Sequence, residues 1–194
     1  VARGAGSKLV VADMPFMTAS GDLSSGVTAA TALIQAGAHA VKIEGAGHQA
    51  LLIEHLVEAG IPVVGHLGLT PQSVLQLGGH RVQAKDEAAA RCLVSDAEKV
   101  EAAGAAALVL ECVPAKVAAE IAKVLRIPVI GIGAGVDVDG QVLVLQDLLG
   151  ANPGFKPKFL RKYADLSSSI GQALDRYHDD VQSGAFPARC ESYA

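Results

Sequence analysis

The chain contains no tryptophan, and its three tyrosines and four phenylalanines make up only 4% of 194 residues. It has three cysteines (Cys92, Cys112 and Cys190), an odd number without CxxC spacing. That excludes a disulfide framework or a zinc ribbon and points to a reducing, cytoplasmic setting. Positive charge is not in excess: 16 Lys and Arg face 20 Asp and Glu, for a net −4 and a pI near 5.8. A general nucleic-acid binder is therefore not expected. No HExxH is present and the six histidines do not cluster, which argues against zinc.

Long apolar runs are missing too. Residues 59–80 lack Asp, Glu, Lys and Arg, but two prolines, two glutamines and several glycines interrupt them, so no membrane span is expected. The opening Val1-Ala2-Arg3-Gly4-Ala5-Gly6-Ser7 has neither an initiator Met nor the apolar stretch of a signal peptide. It starts as though partway through an element.

What the chain does have is aliphatic residues, in a fixed grammar. Hydrophobic residues reach 51%, enough for a large core, and an aliphatic-rich, aromatic-poor composition suits a parallel sheet covered by helices. A helix, an Ala-Gly and a strand recur. Ala36-Gly37 precedes Ala40-Val41-Lys42-Ile43, Ala59-Gly60 precedes Pro62-Val63-Val64-Gly65, and Ala103-Gly104 precedes Ala107-Leu108-Val109-Leu110. Glycine just past a helix end takes the left-handed cap that turns the chain back.

Apolar spacing predicts helices at about 24–36, 48–59, 87–103 and 115–126, with Pro114 in the first turn of the last. A fifth strand is expected over Ile127–Gly133 and a short sixth over Gln141–Leu145. From Pro157 to Ser183 a long helix is expected, with Phe159, Leu160, Tyr163, Leu166, Ile170, Leu174 and Tyr177 on its buried side. No interdomain linker is evident, so residues 1–194 are expected to form one domain. Alternating strands and helices imply a parallel α/β fold, either an open doubly wound sheet or a (β/α)8 barrel lacking two strands.

The strand ends carry the chemistry. Leu9–Ala12 stops at Asp13, Ala40–Ile43 at Glu44, Pro62–Gly65 at His66 and Ala107–Leu110 at Glu111. On parallel strands these four groups share one rim, where such folds do chemistry. Lys42 and Glu44 are two apart and face one way, as a structural salt bridge or as site groups. Asp13 and Glu44, on adjacent strands, suit Mg²⁺, which accepts one or two protein carboxylates; Asp13 before Met14-Pro15 equally suits a turn cap.

His66 is either a working group or a histidine satisfied by a neighbouring carboxylate. Glu111, preceded by apolar residues, is a candidate general base with a raised pKa, and Cys112 beside it is expected to pack among the helices. Gly131-Ile132-Gly133-Ala134-Gly135 either cradles a phosphate or lets a ligand approach closely. The segment from Gly68 to Ala84 is too long for a plain connection and suits a lid or cofactor wall.

Ala12-Asp13-Met14-Pro15-Phe16-Met17, Val41-Lys42-Ile43-Glu44-Gly45, Gly65-His66-Leu67-Gly68-Leu69-Thr70-Pro71-Gln72-Ser73, Leu110-Glu111-Cys112-Val113-Pro114 and Ile130-Gly131-Ile132-Gly133-Ala134-Gly135 follow one another at characteristic spacings. In these motifs the chain resembles the ketopantoate (3-methyl-2-oxobutanoate) hydroxymethyltransferase family. The resemblance implies an α/β (β/α)8 TIM barrel with about six of eight strands in this chain, lacking the N-terminal quarter and its Asp-Ser pair.

It also implies transfer of a one-carbon unit from methylenetetrahydrofolate to 3-methyl-2-oxobutanoate through an Mg²⁺-stabilised enolate, in pantothenate biosynthesis. On the same resemblance Asp13 and Glu44 are metal carboxylates, Asp13, Lys42 and His66 contact substrate, and Glu111 is the proton acceptor. The protein is expected to be a cytoplasmic homo-oligomer, often a decamer, without membrane or nucleic-acid partners. Two other readings stay open: another Mg²⁺-dependent 2-oxo-acid barrel of the phosphoenolpyruvate mutase or isocitrate lyase type, and a catalytically silent fragment.

Overall fold

The computed structural model describes residues 1–193. Residues Val1–Val142 form one compact unit, and the residues from Leu143 onward form a second.

In the first unit strands and helices alternate: β1 (Val11–Asp13), α1 (Leu23–Gln35), β2 (Ala40–Glu44), α2 (Gln49–Glu58), β3 (Val63–Gly68), α3 (Glu87–Ala102), β4 (Ala107–Glu111), α4 (Ala115–Val124), β5 (Val129–Ile132) and β6 (Gly140–Gln141). All neighbouring strands are parallel and lie in chain order, β1 to β6. Sequential order with a helix between successive strands from β1 to β5 is barrel topology, not the doubly wound alternative. The Ala-Gly grammar holds: Gly37, Gly60 and Gly104 all have positive φ. Asp22 and Asp86 start α1 and α3, each accepting a backbone N–H three residues on.

The strands carry two unlike faces. Val41, Ile43, Val63, Leu67, Leu108, Leu110 and Val129 point outward and are buried with Ile53, Leu56, Ala97, Val100 and Ile121 of the helices. Gly65 sits in this layer because a side chain there has no room: an added Cβ would lie 2.4 Å from Val100 Cγ1. Lys42, Glu44, Val64, Val109, Glu111 and Ile130, on the alternate positions, are only half-buried. Strand register aligns them across the inner face, with Asp13 opposite Lys42, Glu44 opposite His66, and Gly68 opposite Glu111.

Two elements depart from expectation. The sixth strand is Gly140–Gln141, not Gln141–Leu145; Val144 instead caps α5 (Leu145–Leu148) in the second unit. A short Val-Leu-Val-Leu run has no period that separates strand from helix. The long final helix begins at α6 (Leu166–Ser183), not at Pro157, because Asp165 caps it, accepting from Ser168 N and Ser168 Oγ. Nor is its apolar stripe buried: Leu166, Ile170, Leu174 and Tyr177 are exposed, and Tyr177 meets Phe186 edge-on at 5.5 Å. Tyr163, in the stretch before α6, is exposed as well.

Candidate active site

The C-terminal ends of β1 to β4 bring all five singled-out residues into one cluster. Lys42 Nζ lies 2.5 Å from Asp13 Oδ1, 3.8 Å from Glu44 Oε1 and 2.9 Å from His66 Nδ1. His66 Nδ1 is 3.6 Å from Glu44 Oε1, and His66 Nε2 is 3.3 Å from Glu111 Oε2. A continuous line of charge therefore runs from Asp13 through Lys42 and His66 to Glu111.

Its electrostatics follow from burial and partners. Burial alone would raise the Glu44 carboxyl, but the His66 ring, the Gln72 N–H and the Lys42 charge outweigh it, and the net shift is downward. His66 is only 2% exposed. Burial pushes its pKa down, while Glu111 and Glu44 push it up and prevail against the Lys42 charge. Its Nε2, although in ion-pair range of Glu111, has no aligned hydrogen-bond partner. A buried polar atom left this way has spare capacity for a ligand.

Backbone geometry places Glu111. Gly68 has φ +88°, and a Cβ there would fall 2.2 Å from the Glu111 carbonyl oxygen, which accepts the Leu69 N–H at 2.8 Å. Only a glycine lets the end of β3 come this close. Cys112, the next residue along, holds a left-handed φ of +49° and is half-buried rather than packed in the core. Burial, and secondarily the Glu111 charge, push its thiol upward, which disfavours a thiolate nucleophile.

Gln72 is the residue whose role the strand-end pattern missed. Pro71–Ser73 forms a 3-10 turn after β3. From it the Gln72 N–H donates to Glu44 Oε2 at 2.9 Å, and its side-chain amide donates to the Met14 carbonyl at 2.8 Å. One residue thus ties the Glu44 carboxylate to the chain just beyond Asp13. Its place in the Thr70-Pro71-Gln72-Ser73 motif and in the Gly68–Ala84 segment marked the loop, but not the bonds it makes. In the glycine-rich segment after β5, Gly135 has its own packing reason: a Cβ there would meet Ala115 Cβ at 2.4 Å.

Among the described residues no three His, Cys, Asp or Glu side chains converge as a metal cage. Mg²⁺ does not need one, since it keeps waters and takes one or two protein carboxylates. Asp13 and Glu44 are two carboxylates at adjacent strand ends, and the Lys42 ammonium stands between them.

Polar groups gathered at the carboxyl ends of sequential parallel strands define a (β/α)-barrel enzyme. Solved structures agree on the fold. A phosphonopyruvate hydrolase, in complex with oxalate and Mg²⁺, superposes with a TM-score of 0.53 at 13% identity, covering 96% of this chain and 69% of that one. A phosphoenolpyruvate phosphomutase from Streptomyces platensis subsp. rosaceus gives 0.52 at 16% identity, covering 93% and 64%.

Sequence relatives are more specific. The ketopantoate hydroxymethyltransferase family pattern matches residues 1–189. The 3-methyl-2-oxobutanoate hydroxymethyltransferase of Bdellovibrio bacteriovorus is 55% identical over the whole chain, which spans 74% of that protein. Those of Syntrophus aciditrophicus and Francisella tularensis are 50% and 46% identical, with 71% and 73% spanned. The chain belongs to the ketopantoate hydroxymethyltransferase family, transferases of pantothenate biosynthesis. No helix among the described residues is long and apolar enough to cross a membrane.

Proposed function

We propose that this chain carries the enolising site of a hydroxymethyltransferase that moves a one-carbon unit from methylenetetrahydrofolate to 3-methyl-2-oxobutanoate. Asp13 and Glu44 would hold Mg²⁺, which would supply Lewis-acid polarisation of the bound 2-oxo acid. The Lys42 ammonium offsets the remaining carboxylate charge and fixes the substrate's orientation. Glu111 accepts the proton from C3, the carbon next to the ketone. His66, with Nδ1 toward Lys42 and Nε2 toward Glu111, holds both groups in register.

The carbon that loses its proton forms a C–C bond to the folate-borne methylene. Both nitrogen–methylene bonds of the folate break; water supplies the hydroxyl of the product, and its other proton and the one taken up by Glu111 go to the freed nitrogens. On this reading the protein works in the cytoplasm as a homo-oligomer.

The observation that carries the proposal is the contact line Asp13–Lys42–His66–Glu111 on one rim. The test is ketopantoate formation with Mg²⁺, 3-methyl-2-oxobutanoate and methylenetetrahydrofolate. Glu44→Ala is expected to lose activity and Mg²⁺ dependence together; retained activity would refute the metal assignment. A catalytically silent chain would yield no product under any metal condition.

A further inference from the structure

The segment from Leu69 to Gln83 stands on the backbone of the proposed base and its neighbour. At one end the Leu69 N–H donates to the Glu111 carbonyl at 2.8 Å, and at the other the Gln83 N–H donates to the Cys112 carbonyl at 2.8 Å. The two feet of the segment thus rest on consecutive carbonyls. Among the described residues its other hydrogen bonds are internal, apart from the two that Gln72 makes to Glu44 and to the Met14 carbonyl.

The second foot is built at a conformational cost. Cys112 has φ +49° and Ala84 has φ +53°, so one left-handed non-glycine residue is the acceptor and another directly follows the donor. Met17 is the only other such residue among those described. Conformations of this kind persist where the surroundings over-determine them. In an extended parallel strand the N–H and C=O of one residue reach the same neighbouring strand. The Cys112 N–H donates to the Ile132 carbonyl of β5 at 2.9 Å, whereas its carbonyl accepts from the segment that follows β3. The left-handed turn makes that reversal, and it does so at the residue next to Glu111.

We propose that Gln83 and Cys112 are positioning residues for Glu111, acting through their main chains. The hydrogen bond between them ties the Leu69–Gln83 segment to the turn at the end of β4. That turn sets where the Glu111 carboxylate stands against His66 Nε2, 3.3 Å away. Glu44 is held by the same segment through the Gln72 N–H, so one loop fixes both carboxylates that flank His66. The side chains of Gln83 and Cys112 have no part in this. The inference rests on Glu111 as the base of the hydroxymethyltransferase reading above.

The test compares Gln83→Pro, which removes the N–H, with Gln83→Ala, which keeps it; neither changes a group of the cluster, and thermal melts establish that each variant folds. Two readouts are taken: kcat and KM for Mg²⁺-dependent deuterium uptake at C3 of 3-methyl-2-oxobutanoate, and the His66 Cε1–H signal of the metal-free chain by NMR. Gln83→Pro is expected to lower kcat about 10- to 100-fold with KM unchanged, the size of an ångström-scale misplacement, and to move the His66 signal. Gln83→Ala should match the wild-type chain in both. If Gln83→Pro does not fold, Cys112→Val, whose β-branched side chain resists a positive φ, takes its place with the same expectation. An unmoved His66 signal in the folded variant overturns the proposal, as does an equal loss in Gln83→Ala. Absence of uptake by the wild-type chain sinks the enolising reading instead, and the His66 signal then decides the coupling alone.

Discussion

Lys42 Nζ donates to His66 Nδ1 at 2.9 Å, and this contact sets the state of the imidazole. An ammonium has no acceptor, so Nδ1 must accept and the neutral ring carries its proton on Nε2, facing Glu111 Oε2. A second ring proton would point at Lys42 or at Glu44. Lys42 therefore opposes protonation while Glu44 and Glu111 favour it. Lys42→Met is expected to raise the His66 pKa further, read from the imidazole Cε1–H shift in an NMR titration. A downward movement would show that the lysine does not act on the ring in this way.

Stability of the metal-free chain should follow Glu44 and His66 in opposite senses. The folded Glu44 pKa is lowered from 4.5, so its contribution is fully present above that pH and is lost as pH falls through the folded value. The folded His66 pKa is raised from 6.5, so its contribution is fully present below that pH and is lost as pH rises through the folded value. Urea denaturation without metal should show both contributions intact between pH 4.5 and 6.5. His66→Asn should flatten the alkaline decline; an unchanged pH profile in that variant would count against the cluster's role in stability.

Gln72 holds the Glu44 carboxylate through its backbone N–H and the Met14 carbonyl, one residue past Asp13, through its side chain. Gln72→Leu keeps the backbone N–H on Glu44 but removes the amide bond to Met14 O. Because the bond to Glu44 remains, a loss of about tenfold, the low end of what removing a ligand's outer partner costs, is expected for Mn²⁺ binding followed by electron paramagnetic resonance. Gln72→Glu, which also lacks the donor, should not restore affinity. Wild-type affinity in Gln72→Leu would leave the residue a loop contact only.

Gly65→Ala should destabilise the fold by about 1–3 kcal/mol, since the new methyl would overpack Val100 and Leu108. Equilibrium urea unfolding measures it. A neutral result would mean that α3 shifts away from the sheet at little cost.

Much of this was legible in the chain because it rested on short, strongly periodic signals. Runs such as Ala40–Glu44 and Ala107–Glu111 alternate faces by strand geometry alone, so Lys42, Glu44 and Glu111 had to meet on one side once the strands were parallel. The Ala-Gly caps likewise need only local backbone preference. Gln72 was not legible, because its two bonds span 28 and 58 residues and depend on how a loop folds back. The α6 stripe misled for a related reason: periodicity at Leu166, Ile170, Leu174 and Tyr177 predicts a helix face but not what covers it.

Asp13, Lys42, Glu44, His66 and Glu111 are proposed to form an enolising site. Deuterium uptake at C3 of 3-methyl-2-oxobutanoate, followed by NMR with Mg²⁺ and without folate, tests it most directly. Uptake is expected to depend on metal and to fall by roughly 10²–10⁴-fold in Glu111→Gln, the range for removing a general base. Uptake that survives that substitution undiminished, or that ignores Mg²⁺, would contradict it.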